Sequence, residues 1–322
     1  MRSKLDSSSL AFIDLAKLGR GGWPVAILTI LTISLVSILS TLTVLIFTGW
    51  SLFFKNFHIN NLGIVIVSGA ANPLVCIFGF WIACRKIMRR PFRSLISTDL
   101  TFSARRCMLG AMIYLPANAL GLTAMSLYSS IRYGAWISPL GHLEWPSSGG
   151  IFGAVAAIIA IPFFAFAEEL FFRGWLTQTL GQFIRVPLVV ATLVAVLFAI
   201  YHAQYNVQQK MLILVTSIGL SALCLRDQRL ELAVGAHSAM NICVALQLLL
   251  FSDSHLPGSV TATTLDWLFL VSLKGVLPLG LMYWLLQITK GWFSPVEIRT
   301  GKVAILNQNV PEGDGVKSAS TR

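Results

Sequence analysis

The sequence contains few charged residues. Only 11% of its 322 residues are Asp, Glu, Lys or Arg, whereas 56% are hydrophobic. A soluble globular domain carries roughly a quarter charged residues, and the surface of a water-soluble globule cannot be covered with so few. The composition therefore excludes an ordinary soluble protein and favours a chain that is embedded in a lipid bilayer.

Cysteine motifs, zinc motifs and targeting signals are also scarce. The five cysteines lie in or beside apolar segments without a CxxC pair, so neither a disulfide framework nor a thiolate metal site is indicated. No HExxH motif is present. Residues 1–23 do not have the pattern of a cleaved signal peptide, because the apolar run that follows is too long and ends without a small-residue cleavage site. We therefore expect the first apolar segment to be retained.

Long runs without charge divide the chain into apolar segments. A transmembrane helix needs about 20 mainly apolar residues, and six uncharged runs meet this length. The shorter run 211–225 and the run 267–289, which contains Lys274, complete a predicted set of about eight helices. The runs lack the alternation of barrel strands, so the predicted class is an all-α polytopic membrane protein. The six uncharged runs are 21–54, 56–84, 107–131, 145–167, 186–209 and 232–252.

The 24 basic residues are concentrated on one side of this predicted topology. Twenty of them occupy the N-terminal segment, the loop 85–106, the loops after every second span, with Arg173 counted among these, and the tail. The other four are Lys55, Arg132 and Lys210, which fall on the opposite side, and Lys274, which lies within a predicted helix. This positive-inside pattern predicts that both termini are cytoplasmic. It also favours membrane lipids, rather than nucleic acid, as the partner of the basic loops. Three regions follow, which are a cytoplasmic segment 1–23, a transmembrane domain 24–290 and a polar tail 291–322 that is predicted to be disordered.

Two adjacent acids follow one of the apolar runs directly. Glu168 and Glu169 come after the run 145–167 and precede Leu-Phe-Phe, so we expect both on one helix in or near the membrane. An ionisable group in that position is costly and usually faces a cavity and a partner. Arg173, one helical turn after Glu169, is the expected partner. The alternative is that these acids simply end the fourth span at the interface.

Two histidines lie in other predicted spans. His202 follows the apolar run 186–201, and His237 lies near the start of the seventh span with Asn241 one turn later on the same helix face. Taken singly, each histidine could be a packed or interfacial residue, and the His237 and Asn241 pair could serve helix–helix hydrogen bonding. Together with the acids they form a candidate site that three spans supply.

These residues also match the motifs of a known family. Glu168 to Arg173 fits EExxxR, Phe198 to His202 fits FxxxH, and His237 to Asn241 fits HxxxN, in the order and spacing that the family shows. The chain thus resembles the CAAX prenyl protease and bacteriocin-processing family of intramembrane proteases, also called the Abi family. Outside the motif core 168–241, the resemblance rests on the eight-helix topology.

The resemblance implies hydrolysis of a peptide bond in a membrane-associated substrate, which is lipidated for some relatives. Glu168 would then act as general base on a water molecule that His202 helps to position. His237 and Asn241 would donate hydrogen bonds to the oxyanion of the tetrahedral intermediate. We expect such a protein in a prokaryotic inner (plasma) membrane.

The resemblance leaves the need for a metal open. In a version without metal, which we favour slightly, Glu169 and Arg173 orient and neutralise the site. The family is commonly labelled as metalloproteases, and in that version Glu168, His202 and His237 hold a divalent metal such as zinc, which lowers the pKa of its bound water. The missing HExxH spacing argues against the second version.

One geometric condition must be met before these motifs can converge. If the helices alternate strictly, His202 falls towards the outer end of its span, whereas Glu168 and His237 fall towards the inner side. The site assembles if the helix that carries Glu168 continues past Arg173 towards Gly181, and if the next helix tilts or starts further from the bilayer centre. Residues 170–180 contain no helix breaker apart from Gly174, so the sequence permits this continuation.

Two other classes of function use the same residues. In a transporter or channel, the acids and histidines would relay protons or ions, but the chain has no evident internal repeat or paired interrupted helices. A non-catalytic membrane partner, or a bacteriocin self-immunity protein, would keep the motifs for structure alone. A proteolysis assay on a Glu168 variant separates this third class from a protease.

Overall fold

The computed structural model describes residues 11–53, 61–134, 138, 140, 142–144, 148–252 and 264–292. Those residues form a bundle of helices with one pair of two-residue strands, β1 (His142–Leu143) and β2 (Phe251–Ser252), which are antiparallel. The chain is an all-α, multi-pass membrane protein, as predicted. The predicted tail beyond Trp292 lies outside the described residues. The helices are α1 (Trp23–Phe53), α2 (Asn61–Ala83), α3 (Ala104–Tyr133), α4 (Ser148–Glu169), α5 (Thr177–Leu180), α6 (Pro187–Tyr201), α7 (Val207–Asp227), α8 (Glu231–Leu250), α9 (Thr264–Val271) and α10 (Leu277–Ile288).

The number of spans agrees approximately with the prediction of eight. Within the described residues, six helical segments are long and apolar enough to cross a bilayer. Two further helices are apolar, namely α2 and the 15-residue α6. The predicted span 186–209 is shortened, because α6 ends at Tyr201 and is about 22 Å long, less than the roughly 30 Å of the hydrocarbon core. The six segments are Trp23–Leu42, Ala104–Tyr133, Ile151–Leu180, Val207–Asp227, Glu231–Leu250 and Leu265–Ile288.

Local capping signals fix the hairpin of α6 and α7. Pro187 occupies the first turn of α6, where its missing N–H costs nothing. Asn206 caps α7, because its side chain accepts from the backbone N–H of Gln209 (2.9 Å) while the Gln209 side chain accepts from the Asn206 backbone N–H (3.1 Å). This capping box satisfies two backbone donors that would otherwise lack a partner at a helix start. It begins α7 only a short turn after α6 has ended.

Small residues let α3 and α8 pack closely. A Cβ atom added at Gly235 would overlap the backbone carbonyl of Cys107, and one added at Gly110 would overlap that of Leu232. Such small-residue contacts allow helix backbones to approach in a membrane, where packing rather than the hydrophobic effect drives helix association. The contact at Gly235 fixes the first turns of α8, and Gly235 lies two residues before His237.

One end of the bundle, which we call the basic end, gathers the segments that were predicted to share a side. Polar contacts there join the N-terminal segment, the chain between α2 and α3, the α5–α6 connection and the α7–α8 turn. Arg173 is an exception to the prediction, because it is buried inside the span Ile151–Leu180 instead of lying in a loop. The contacts are Asp14 with Arg185 (2.8 Å), Ser94 with Gln178 (2.8 Å), Asp99 with Arg229 (2.6 Å) and Arg106 with Asp227 (2.5 Å).

Candidate active site

The helix that carries the two glutamates continues well past them. After Glu169 it passes through a π-helical turn, Leu170–Leu176, and then through α5. Single π turns inside helices are frequent at functional sites. Roughly 16 Å of helix separates Glu169 from Leu180, and a similar length separates Pro187 from Phe198 on the neighbouring α6. Glu169 and Phe198 can therefore lie at the same depth, and the first part of the condition, continuation of this helix towards Gly181, is met.

Glu169 is the centre of a buried hydrogen-bonded cluster. Its side chain is fully buried, and its Oε1 atom accepts from Arg173 Nη1 at 2.9 Å and from His237 Nδ1 at 2.8 Å. Arg173 also donates from Nη2 to the Ser217 Oγ atom of α7 at 2.7 Å. The ion pair that the four-residue spacing predicted is thus present, and it is completed by residues of α7 and α8. Charge-assisted bonds of this kind are about twice as strong as neutral ones.

Phe198 provides the apolar surface that three site residues share. The Arg173 Cζ atom lies 4.5 Å from the centroid of its ring, within the range of a cation–π contact. The His202 ring packs on Phe198 with centroids 4.6 Å apart, and the His237 ring meets it edge-on at 5.9 Å. The phenylalanine of the FxxxH motif therefore has a physical role, since it brings residues of the π turn, the end of α6 and α8 against one aromatic ring.

Glu168 differs from its neighbour in exposure and in contacts. About a quarter of its side chain, 24%, is exposed, and its Oε2 atom lies 3.5 Å from His237 Nε2. That separation is longer than the usual N–H···O hydrogen bond. Cys76 of α2 and Tyr201 of α6 lie close enough to interact electrostatically with Glu168. Glu168 is therefore the accessible carboxylate of the pair, between α2 and α6.

His202 lies at the end of α6, where its ring is held by the backbone. Nδ1 lies 2.9 Å from the carbonyl oxygen of Phe198. A carbonyl can only accept, so Nδ1 donates and carries the proton, which leaves Nε2 as an acceptor when the ring is neutral. The ring also stacks on Tyr205 at 5.9 Å. Among the described residues, no hydrogen bond or ion pair joins His202 to either glutamate or to His237.

Asn241 lies one helical turn beyond His237 on α8 and is half-buried. Its position on the same face as His237 agrees with the spacing of the motif. Its amide makes no hydrogen bond to any residue in the described part of the chain. The N–H donors of Asn241 are therefore not committed to the fold, in contrast to those of Arg173.

The arrangement does not fit the three-ligand metal site that the sequence left open. Across the described residues, no group of three or more His, Cys, Asp or Glu side chains is placed to hold a metal ion. Glu168 and His237 are neighbours, but His202 does not join them, and its Nδ1 faces a backbone carbonyl. A zinc ion needs three protein ligands converging at about 2.0–2.2 Å in a catalytic site. We therefore derive no step through a metal.

Sequence reasoning did not identify several residues that shape the site. Ser217 has no local signal, since its only distinction is that α7 packs it against Arg173. Cys76 and Tyr201 likewise come within electrostatic range of Glu168 only through the tertiary fold. Phe198 was recognised as a motif position one turn before His202, but its contacts with Arg173 and His237 could not be predicted from the sequence.

Comparison with known proteins supports the assignment that the motifs suggested. Residues 149–243 match the model of a family described as type II CAAX prenyl endopeptidase Rce1-like. This range includes all three motifs and the π turn. The resemblance to the CAAX-protease family is thus confirmed over the segment that carries the candidate site.

A curated bacterial protein is similar over a longer stretch. The chain is 30% identical over 179 residues to the uncharacterized protein YyaK of Bacillus subtilis (strain 168). The match covers 54% of this chain and 58% of that protein, so the chain spans little more than half the length of this relative. No solved structure matches the chain significantly.

Proposed function

We propose that this chain is a CAAX-type intramembrane endopeptidase, which hydrolyses a peptide bond of a membrane-associated or lipidated peptide with water activated by Glu168. The observation that carries the proposal is the pairing of an accessible carboxylate, Glu168, with a fully buried and hydrogen-bonded one, Glu169, in the segment that matches the Rce1-like family. The two acids differ as a catalytic base and a positioning group should.

Glu168 is the better candidate for the general base. Glu169 already accepts two charge-assisted hydrogen bonds on Oε1 and is fully buried, so it cannot share a water molecule with a substrate. Glu168 is partly exposed and makes no such bonds, which leaves it free to take a proton from water. The free Nε2 of His202 would accept the second hydrogen bond of that water. The resulting hydroxide attacks the carbonyl carbon, and the proton on Glu168 is then passed to the departing amine.

His237 is the proposed donor to the oxyanion, and its hydrogen bonds define the protonation state that this role requires. Nδ1 faces Glu169 Oε1, which as a carboxylate oxygen can only accept, so Nδ1 carries a proton. Nε2 can donate to an oxyanion only if it carries a second proton. The ring must therefore be an imidazolium in the reacting enzyme. Its positive charge would balance Glu168 as that of Arg173 balances Glu169, which makes this group of four residues neutral. Asn241 would supply the second donor.

The orientation of the chain forms part of the proposal. We propose a location in a prokaryotic inner (plasma) membrane, with the basic end and both termini in the cytoplasm, in accordance with the positive-inside rule. Arg93 lies exposed at the basic end, so a cysteine introduced there is expected to react with an impermeant maleimide in inside-out but not in right-side-out vesicles. The unmodified chain, with its own cysteines, provides the background. Labelling in right-side-out vesicles alone would reverse the topology.

A cleavage assay tests the proposed activity. The purified protein in liposomes would be incubated with a prenylated CAAX peptide, its unprenylated form and a transmembrane peptide, and products would be identified by mass spectrometry. We expect cleavage of at least one by the wild type, loss of that cleavage in Glu168→Ala, and no loss in Glu144→Ala, which alters an exposed acid outside the site. Cleavage that persists in Glu168→Ala would contradict the mechanism. Failure of the wild type on all three would favour a non-catalytic membrane partner.

A further inference from the structure

A second polar site lies at the basic end, away from the glutamates. A cavity of about 290 Å³ opens there beside the end of α2 and the π turn Cys84–Met88 that follows it. Two arginines and two aromatic side chains contribute to its wall. The residues that line it are Trp81, Cys84, Arg85, Arg90, Pro91 and Phe92.

Arg90 is the unusual member of this wall, because it is buried and no carboxylate in the described part of the chain serves as its counter-ion. It is 7% exposed, and its hydrogen bonds, both from Nη1, go to neutral oxygens, namely Gln178 Oε1 at 2.7 Å and the Leu15 carbonyl at 3.2 Å. No carboxylate of the described residues forms an ion pair with it, and its buried Nε atom has no hydrogen-bond partner there. Burial lowers the pKa of Arg90 to about 10, which still leaves it charged at neutral pH.

A buried charge normally has a partner. Removing an ion from water without compensation costs several kcal/mol by general estimates, so buried arginines are usually paired with carboxylates or phosphates. The other strongly buried arginines follow this rule, since Arg173 pairs with Glu169 and Arg229 pairs with Glu231. Arg90 departs from it, and the cavity that it lines supplies the room for an anion.

The rest of the wall fits an anion at the membrane interface. Arg85 is exposed and holds its guanidinium 5.5 Å from the centroid of the Trp81 ring. Tryptophan is enriched where helices leave the hydrocarbon region, and Trp81 is partly exposed near the end of α2. Basic pockets between helices at this level bind phosphate head groups. Arginine suits such a ligand because its planar guanidinium offers two donors to two phosphate oxygens.

We propose that this cavity is a binding site for a phosphate group, with Arg90 as the buried ligand and Arg85 as the outer one. The phosphodiester of an anionic phospholipid and free phosphate share this chemistry. The ligand would provide the negative charge that Arg90 lacks. Because Gln178 on α5 accepts from Arg90 and donates to the Ser94 carbonyl, a bound anion would also stabilise the junction between α5 and the segment that follows α2.

Two binding measurements distinguish the sources of the phosphate. Native mass spectrometry of the full chain, released from nanodiscs of mixed phosphatidylglycerol and phosphatidylcholine, would count retained anionic lipids. Thermal melting in detergent, with inorganic phosphate against chloride at equal ionic strength, would detect the free anion. Retained phosphatidylglycerol supports a lipid site, and a rise in melting temperature with phosphate supports a site for the free anion, since a ligand that binds the folded state stabilises it.

Single substitutions distinguish binding in the cavity from a general attraction of anions to the basic surface. Arg85→Gln leaves the fold contacts of Arg90 intact and is expected to weaken the binding of phosphatidylglycerol or phosphate about tenfold. Arg90→Met is expected to abolish this binding. Lys86→Gln removes an exposed charge next in sequence to Arg85 that does not line the cavity, so binding should be unchanged. If Arg90→Met fails to fold, Arg85→Gln and Lys86→Gln still decide the question. Equal binding by the wild type and Arg85→Gln, or equal losses in Arg85→Gln and Lys86→Gln, would overturn the proposal.

Discussion

This molecule contains two networks of charged side chains around a buried centre. They differ in whether a charged side chain is left without a short hydrogen bond. The end network, at the basic end, is built on Arg229, which donates to Asp99 (2.6 Å), Glu231 (2.7 Å) and Thr101 (3.1 Å). The site network is built on Glu169, which accepts from Arg173 and His237. The central residues of both networks, Arg229 and Glu169, are almost completely buried, yet the candidate chemistry belongs to the second.

The difference lies in the groups beside each network. In the end network, Glu231 accepts a further bond from the backbone N–H of Ser103, and Arg229 uses its Nε, Nη1 and Nη2 atoms. In the site network, His237 presents Nε2 to Glu168 without a short hydrogen bond, and Glu168 remains partly exposed. Buried charge alone therefore does not mark a functional site in this fold. The candidate site differs from the end network in having an accessible, uncommitted carboxylate, Glu168, beside its buried centre.

The largest effect on stability is expected from breaking the end network. Arg229→Met would leave Glu231 fully buried without a cation, which costs about 3–5 kcal/mol for a buried pair of this kind. Asp99→Asn alters a partner that is 27% exposed and should cost far less. Thermal melting of both variants in one detergent measures the difference, and the cleavage rate per folded molecule should stay the same. Similar melting temperatures for the two variants would show that the end network contributes little to folding.

A smaller loss of both stability and cleavage is expected when the Phe198 ring is removed. Phe198→Leu removes the cation–π contact with Arg173, worth about 0.5–2 kcal/mol, together with the surface on which both histidines pack. Phe163→Leu on α4 is the matched control, because that ring is exposed on the outside of the bundle. Cleavage and melting should fall in the first variant and remain close to wild type in the second. Equal behaviour of the two would mean that Phe198 only fills space.

The smallest expected effect concerns the outer end of the site network. Ser217→Ala removes the hydroxyl that accepts from Arg173 Nη2, and a hydrogen bond to a charged group is worth about 1.5–3 kcal/mol. The Ser217 carbonyl remains 3.3 Å from the same nitrogen, so most of this loss should be recovered and the net cost should be at most about 0.5 kcal/mol. Ser221, one turn further along α7, is buried with no hydroxyl partner among the described residues, and Ser221→Ala should be neutral. Equal destabilisation of both variants would remove Ser217 from the network.

Sequence reasoning predicted contacts within the candidate site better than it predicted contacts around it. The four-residue spacing of Glu169 and Arg173 allowed the ion pair to be predicted, because helix geometry alone brings those positions together. The early end of α6 was missed, since His202 to Asn206 follow an apolar run without a Gly or Pro. The end network was also missed, because Asp99 and Arg229 are distant in sequence and nothing local pairs them. Arg90 was predicted as one loop cation among many, and its burial depends on contacts with Leu15 and Gln178 that have no sequence signal.

The central claim is that two adjacent glutamates have separate roles, and one paired measurement tests it. Glu168→Gln and Glu169→Gln would be compared with wild type for cleavage rate and for melting temperature in the same detergent. We expect Glu168→Gln to lose cleavage by at least about 100-fold, the low end for removal of a general base, with little change in melting temperature. Glu169→Gln should keep some cleavage but melt at a lower temperature, because Arg173 loses its buried counter-ion. Full cleavage by Glu168→Gln with none by Glu169→Gln would show that the roles are reversed.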